Sequence, residues 1–205
     1  MSSAAKGRVF KLYGGRAALD LVNTLDWRFR ESGEEELLET YDDVIRFAEQ
    51  TELLTAKIAR QLLRTTDERT GERVLAAVRE LREALAEVFY AALDRRRPSA
   101  AALAKLEEAI KAARERQGLR WSGSRASWGW VDAESKPELP LWQMALSAEQ
   151  LMSSEALSAV RACGDPGCRW LFLDMSKNHT RRWCSMETCG NRMKARRFKA
   201  QHAAD

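Results

Sequence analysis

The residues in this chain best suited to chemistry are its four cysteines, Cys163, Cys168, Cys184 and Cys189. They form two C-x4-C pairs separated by fifteen residues. Zn²⁺ imposes no geometry of its own and accepts four thiolates at the corners of a tetrahedron, two from each of two tight turns. Gly164, Pro166 and Gly167 lie in or beside the first pair, and Gly190 follows the second, so both stretches have residues that let the backbone fold towards sulfur. The gap within each pair is at the wide end of the usual range. Three other readings compete. Two disulfides suit a secreted chain, but no secretory context is visible. A catalytic zinc keeps three protein ligands and an open position, whereas four thiolates close the shell. His179, five residues before Cys184, could replace one cysteine, although a lone His in a polar loop is more often solvated. The expectation is one structural Zn²⁺ held by the four cysteines.

Around these ligands, Arg169-Trp170-Leu171-Phe172-Leu173-Asp174 has the length and composition of a strand. The polar loop Met175–Thr180 follows, and Arg181-Arg182-Trp183 lead back to the second pair, which predicts a small hairpin closed by the metal. Asn191 is expected to cap a helix carrying Arg192, Lys194, Arg196, Arg197 and Lys199, with Met193 and Phe198 facing inward. Residues 161–205 hold ten Lys/Arg against four Asp/Glu, which leaves 24 against 26 in the preceding 160. The positive charge is therefore local to the cysteine module. Lys177, Arg181, Arg182, Arg192, Lys194, Arg196, Arg197 and Lys199 are candidates to meet the phosphates of a nucleic acid, and base edges with them. Against this stands a solvated basic surface, or, for Arg182 and Arg192, hydrogen bonds made within the module. Composition leaves two function classes open: a DNA-binding module, or a structural zinc module that mediates protein or RNA interaction, since zinc ribbons hold many unrelated surfaces.

The order Cys163, Cys168, Phe172-Leu173-Asp174, Ser176, Arg181-Arg182-Trp183-Cys184-Ser185-Met186, Cys189-Gly190-Asn191-Arg192 and Lys194-Ala195 resembles the CGNR zinc-finger family over about forty residues. Members usually carry this finger behind an α-rich N-terminal domain called ABATE and are described as stress-induced transcription regulators. Gly14-Gly15-Arg16 and Leu19-Asp20-Leu21-Val22-Asn23-Thr24, with Arg28 close behind, resemble the opening motif of ABATE domains. The resemblance implies a DNA-binding regulator whose N-terminal domain senses a small-molecule effector or forms a homodimer. Asn23, Thr24 and Arg28 are candidates for a small-ligand pocket. The competing reading has Asn23 and Thr24 capping or bonding nearby backbone, as polar residues at helix ends usually do.

With 205 residues, 45% of them hydrophobic and 31% charged, the chain has the composition of a soluble globular protein able to bury a core without disulfides. Met1–Gly15 contains no apolar core of signal-peptide length, and no apolar run approaches the ~20 residues that span a bilayer. Free thiols without an export signal point to the cytoplasm. Arg8–Leu12 reads as a short strand ended by Gly14-Gly15. Ala18, Leu21, Val22 and Leu25 then share one helical face, with Asp20, Asn23 and Thr24 off that stripe. Thr40 with Asp43 reads as a capping box, Thr55 and Ser99 as further N-caps, and Val74 to Ala92 as a long amphipathic helix running from about Thr70 to Arg95.

Trp121, Ser-Gly-Ser and Trp128-Gly129-Trp130 predict a hairpin, paired with the strand at 8–12 and burying its tryptophans against a helix; stacking on bases is the rarer use. A further helix is expected after Pro140. There is no G-x-S-x-G elbow, phosphate-binding Gly-rich loop or H-E-x-x-H, and His179 and His202 are the only histidines, so no catalytic role is supported. The expected fold is mainly α with a small β component: an ABATE-like helical domain over residues 1–155 and a zinc finger of hairpin and basic helix over residues 156–205.

Overall fold

The computed structural model describes residues 8–202, so residues 1–7 of the N-terminal stretch read above lie outside the described residues. Helices take 53% of the chain and strands 11%, which makes the fold mainly α. Its centre is the 26-residue helix α4 (Glu68–Leu93), which buries Val74, Val78, Leu81, Leu85 and Phe89 along one face. Around it stand α1 (Ala17–Val22), α2 (Tyr41–Gln50), α3 (Ala56–Thr65), α5 (Ala100–Arg114) and α6 (Leu139–Met152). Phe47 and Phe89 are fully buried in the shared core. Each such side chain contributes roughly 2–3 kcal/mol relative to exposure. Among the described residues no helix is long and apolar enough to cross a membrane.

Local chemistry sets the helix boundaries. Thr40 accepts from the Asp43 amide while the Asp43 carboxylate accepts from the Thr40 amide, the reciprocal box that opens α2. Thr55 and Ser99 accept from the Ile58 and Ala102 amides. Asp67, accepting from the Thr70 amide at 3.0 Å, starts α4 a turn-fraction earlier than its apolar pattern predicts. Pro140 does not precede α6 but sits inside its first turn, where its missing N–H has no partner to lose.

The expected strand at 8–12 does not form. The Phe10 amide donates to Gln50 Oε1 at 2.8 Å, and the Phe10 ring meets Phe47 edge-on, so the segment packs on α2 without a ladder. Leu25 leaves α1 for a two-residue ladder, β1 (Leu25–Asp26) against β2 (Glu35–Glu36). Gly14 lies so close to α1 that a Cβ there would sit 2.9 Å from the Asp20 amide and the Leu19 side chain. The hairpin β3 (Gln117–Ser122) and β4 (Arg125–Trp130) forms with Gln117 opposite Trp130 and Ser122 opposite Arg125. It pairs with no third strand among the described residues. Its tryptophans are not buried as expected: only Trp130 packs on the body, 6.2 Å from the Trp142 ring.

Beyond α6, a 3-10 turn (Glu155–Ala159) leads into β5 (Val160–Ala162), antiparallel to β6 (Leu171–Leu173). A π turn (Met186–Gly190) then runs directly into α7 (Asn191–His202). The finger hairpin thus differs from the expected one. The partner of Leu171–Leu173 is the strand before the first cysteine pair, not Arg181–Trp183. Asn191 does not cap α7 either: its side-chain amide donates to the Glu187 carbonyl from within a continuous helical run. No residue of α7 is buried, and Phe198, expected to face inward, is exposed.

Candidate metal centre and nucleic-acid interface

The first cysteine pair sits in the turn of the β5–β6 hairpin. Cys163 donates its amide to the Trp170 carbonyl at 2.8 Å, closing the ladder. Asp165 shapes the turn: its carbonyl accepts from the Cys168 and Arg169 amides, both at 3.0 Å, and its Oδ1 from the Gly167 amide at 3.2 Å. The second pair is carried by the π turn, which swings Cys189 back towards Cys184. The two arms are joined where the Gly164 amide donates to the Arg182 carbonyl at 2.9 Å. Between them the loop at 175–180 is ordered by buried Asp174, which accepts from the Ser176 hydroxyl, the Ser176 amide and the Arg181 amide.

The four buried sulfurs lie within 4.8 Å of one another, with Cys168–Cys184 at 3.8 Å and Cys184–Cys189 at 3.6 Å. Zn–S bonds of ~2.3 Å set the edges of a tetrahedral thiolate cage at about 3.8 Å. Spacing, donor type and burial therefore fit the ion. The electrostatics agree. Hydrogen bonds from Cys168 and Cys184 hold the Cys163 thiol well below its ordinary range. The same contacts with Cys163 push Cys168 and Cys184 up, and burial pushes up Cys189. Four thiolates packed this closely repel one another, so a fully ionised set needs a cation at its centre. His179 is not part of it: its Nδ1 lies 2.9 Å from the Asp174 carbonyl in an exposed loop.

The cage is also clamped to the helical body. The Asn23 amide group binds the backbone of Leu171 twice, Nδ2 donating to the carbonyl at 2.9 Å and Oδ1 accepting from the N–H at 2.8 Å. The Leu173 amide donates to the Gly14 carbonyl, the Trp170 indole to Asp26 Oδ1 at 2.8 Å, and the Tyr90 hydroxyl to the Arg169 carbonyl at 2.9 Å. Tyr13 and Trp27, from the N-terminal segment, pack against the apolar shell of the cysteines. Buried Asp20 accepts from the Gly14 amide at 2.7 Å and so braces the strand contact, and burial pushes its carboxyl up to about 7.

The eight candidate cations divide. Arg181 spends its guanidinium on the Trp183, Cys184 and Leu173 carbonyls while stacked over Phe172. Arg192 bonds Asp165 at 2.7 Å and Cys189 Sγ at 2.8 Å, with its guanidinium over Trp27. Both guanidiniums are bonded within the finger, the alternative weighed for Arg192, while Arg181 stays exposed and Arg192 keeps 31% of its side-chain surface exposed. Arg182 leans on Trp183, and Arg196 reaches Asp165 at 3.4 Å but stays exposed. Lys177, Lys194, Arg197 and Lys199 are exposed and take part in no ion pair among the described residues.

Asn23, Thr24 and Arg28 turn to different partners. Asn23 is committed to Leu171, a partner far beyond nearby backbone. The Thr24 hydroxyl donates to the Leu21 carbonyl, the local bond that its position suggests. Arg28 pairs with Glu83 at an open cleft also lined by Glu36, Arg79 and Arg82. Sequence reasoning missed Asp26, Trp27 and Asp165. Asp165 carried the one usable signal, an acid inside a ligand turn where an Asx bond can form.

With this geometry in place, two family models account for most of the chain. That of ABATE, described as a putative stress-induced transcription regulator, matches residues 15–155. That of the CGNR zinc finger matches residues 159–202. No curated protein matches the chain. The chain belongs to the ABATE family and carries at its C-terminal end a CGNR zinc finger whose four cysteines form the metal-binding site.

Proposed function

We propose that the protein is a zinc-dependent, DNA-binding transcription regulator in which one structural Zn²⁺ fixes a basic helix against a ligand-sensing or dimerising helical domain. The observation that carries this reading is α7. It holds five Lys/Arg and no acid in twelve residues and buries none of them, yet it is rooted in the cage through Arg192 and Asp165. A helix with no apolar face gains nothing from the core. Its exposed cations Lys194, Arg197 and Lys199, with exposed Lys177 in the 175–180 loop of the same finger, suit the phosphates of a duplex. When bound, zinc supplies the charge that keeps four thiolates together. The chain's own residues do the rest: Asp165 aligns Arg192, Arg181 ties the loop to the second arm, and the helical body holds β6. The proposed role is recognition, not catalysis, which fits histidines whose Nδ1 atoms both face backbone carbonyls. Reduced thiols fit a cytoplasmic setting.

The test is a fluorescence anisotropy titration of zinc-loaded protein with random-sequence duplex DNA at two salt concentrations. Phosphate contacts make log K fall by about 0.9 per contact per decade of salt. Binding that weakens steeply with salt and vanishes on chelation is expected; no binding at low salt overturns the reading.

A further inference from the structure

The β3–β4 hairpin is the part of the molecule that the metal centre and the helical core leave unused. In an antiparallel pair, directly opposed residues share a face. The register opposes Leu119 to Trp128 and Trp121 to Ala126, so Leu119, Trp121, Ala126 and Trp128 form one face. Leu119 is 66% exposed, Trp121 75% and Trp128 61%. The base is anchored, with Trp130 stacked on Trp142 and the Arg116 guanidinium over the same Trp142 ring. The outer part projects, ending in a two-residue turn with Gly123 at φ 59°, a conformation that glycine adopts without cost. A two-stranded hairpin alone in water is marginally stable, and bare tryptophans on one raise the cost of leaving it unoccupied.

We infer that this face is a stacking platform for an unpaired stretch of nucleic acid, bound through its bases and phosphates. The inference extends the nucleic-acid reading above and rests on it. Charge selects the occupant. From Gln117 to Val131 there are two arginines, Arg120 and Arg125, and no acid. By the same register both lie on the reverse of the tryptophan face: Arg125, opposite Ser122, is exposed beside the turn, and Arg120, opposite Ser127, donates to the Trp130 carbonyl. An anionic ligand with flat π faces uses both properties: bases of any sequence stack on the tryptophan face, and Arg125 at the tip meets the backbone where the strand passes the edge of the hairpin. A second copy of the chain fits less well. The exposed face offers roughly 400 Å², about half of what each partner contributes to a standard protein–protein interface.

The test uses the full zinc-loaded chain with labelled oligo(dT), oligo(U), random duplex DNA and anionic phosphatidylserine vesicles, read by anisotropy and by tryptophan quenching. Oligo(dT) or oligo(U) should bind and quench, and comparing the two separates DNA from RNA as the source. Trp121→Leu and Trp128→Leu keep the apolar face but remove the ring, and each should weaken oligonucleotide binding by about tenfold, stacking on one base being worth that order. Trp121→Phe should restore most of it. Arg125→Glu, which leaves every cross-strand pair of the apolar face intact, should weaken binding and lower the salt slope. Duplex binding carried by α7 should survive all four. Leucine variants that bind like wild type, or wild-type binding to vesicles but to neither oligonucleotide, overturn the inference and leave the α7 reading standing. Loss of every nucleic-acid signal in the wild type sinks both. Duplex binding with no single-strand binding sinks the platform alone.

Discussion

Within twenty residues the finger carries two sets of cations that have the same chemistry and opposite fates. Arg181 and Arg192 are bonded within the finger, each to carbonyls, a carboxylate or a thiolate, and laid on an aromatic ring. Lys194, Arg197 and Lys199 are exposed around α7 and take part in no ion pair among the described residues. The difference follows from geometry. Arg192 is the second residue of α7, close enough to the cage to reach Cys189, and the residues after it are carried away at about 1.5 Å per step. A basic residue's role in this module is thus decided by its distance from the sulfurs, not by its type.

The largest perturbation is removal of the metal. Structural zinc supplies on the order of 10 kcal/mol of folding free energy. Chelation should therefore dissolve the bonded set, freeing Arg192 and α7 with it, while α2 to α6 keep their helical signal. Circular dichroism and limited proteolysis before and after chelation check this; an unchanged finger would mean that the arginine contacts suffice without the ion. Because Trp27 lies under Arg192, its fluorescence should also change, reporting the loss at the helical body.

Next in size is the clamp between body and finger. Asn23→Leu removes both partners of the Leu171 backbone and leaves a buried N–H and C=O unmet, at about 1–3 kcal/mol each. The denaturation midpoint should fall accordingly. Metal affinity should fall with it, since β6 carries the chain out of the first cysteine turn. Asn23→Leu with unaltered zinc affinity would show that the finger folds independently of the body.

The two sets of cations should then separate cleanly. Arg192→Ala removes the partner of Cys189 and Asp165, and contacts of that kind are worth about 10–100-fold in metal affinity. Arg197→Ala with Lys199→Ala should leave zinc affinity and stability within about 0.5 kcal/mol. The same pair should cut duplex binding and reduce its salt slope by about two contacts. A chelator competition beside the DNA titration reads both. Reversed outcomes, with zinc lost in the double variant or duplex binding lost alone in Arg192→Ala, would erase the distinction.

Legibility in the sequence followed the range of the interactions. Thr40, Thr55 and Ser99 mark helix starts because a cap reaches only three residues. The cysteine ligands stand out because their turns are local. The strand expected at 8–12 failed because alternation predicts a face and not a partner, and Gln50 took the bond that a neighbouring strand would have made. The same limit hid the fate of Trp121 and Trp128: period two says which residues share a side, not whether anything covers it. Asn23 meets Leu171 across 148 positions and Arg192 meets Asp165 across 27, distances at which no spacing rule operates.

The one effect set by pH lies at the quiet end of the clamp. Asp20 is buried under Gly14, and burial pushes its carboxyl up to about 7, against an ordinary value of 3.8. A carboxyl raised on folding binds its proton more tightly in the folded chain. Its contribution is complete below about 4 and is lost as pH rises through about 7. Asp20→Asn keeps an oxygen for the Gly14 amide at 2.7 Å but carries no charge at any pH. The variant should therefore match the wild type in urea melts below about pH 4 and exceed it increasingly as pH rises to 8, by up to roughly 4 kcal/mol. The metal cage, common to both proteins, cancels in that difference. Equal stability at both pH values would mean that Asp20 is solvated when charged, and that the link from α1 through Gly14 to Leu173 carries no electrostatic strain. A widening gap would locate strain at the strut joining the helical body to the finger, a link made by Gly14 and Asp20 with no cation involved.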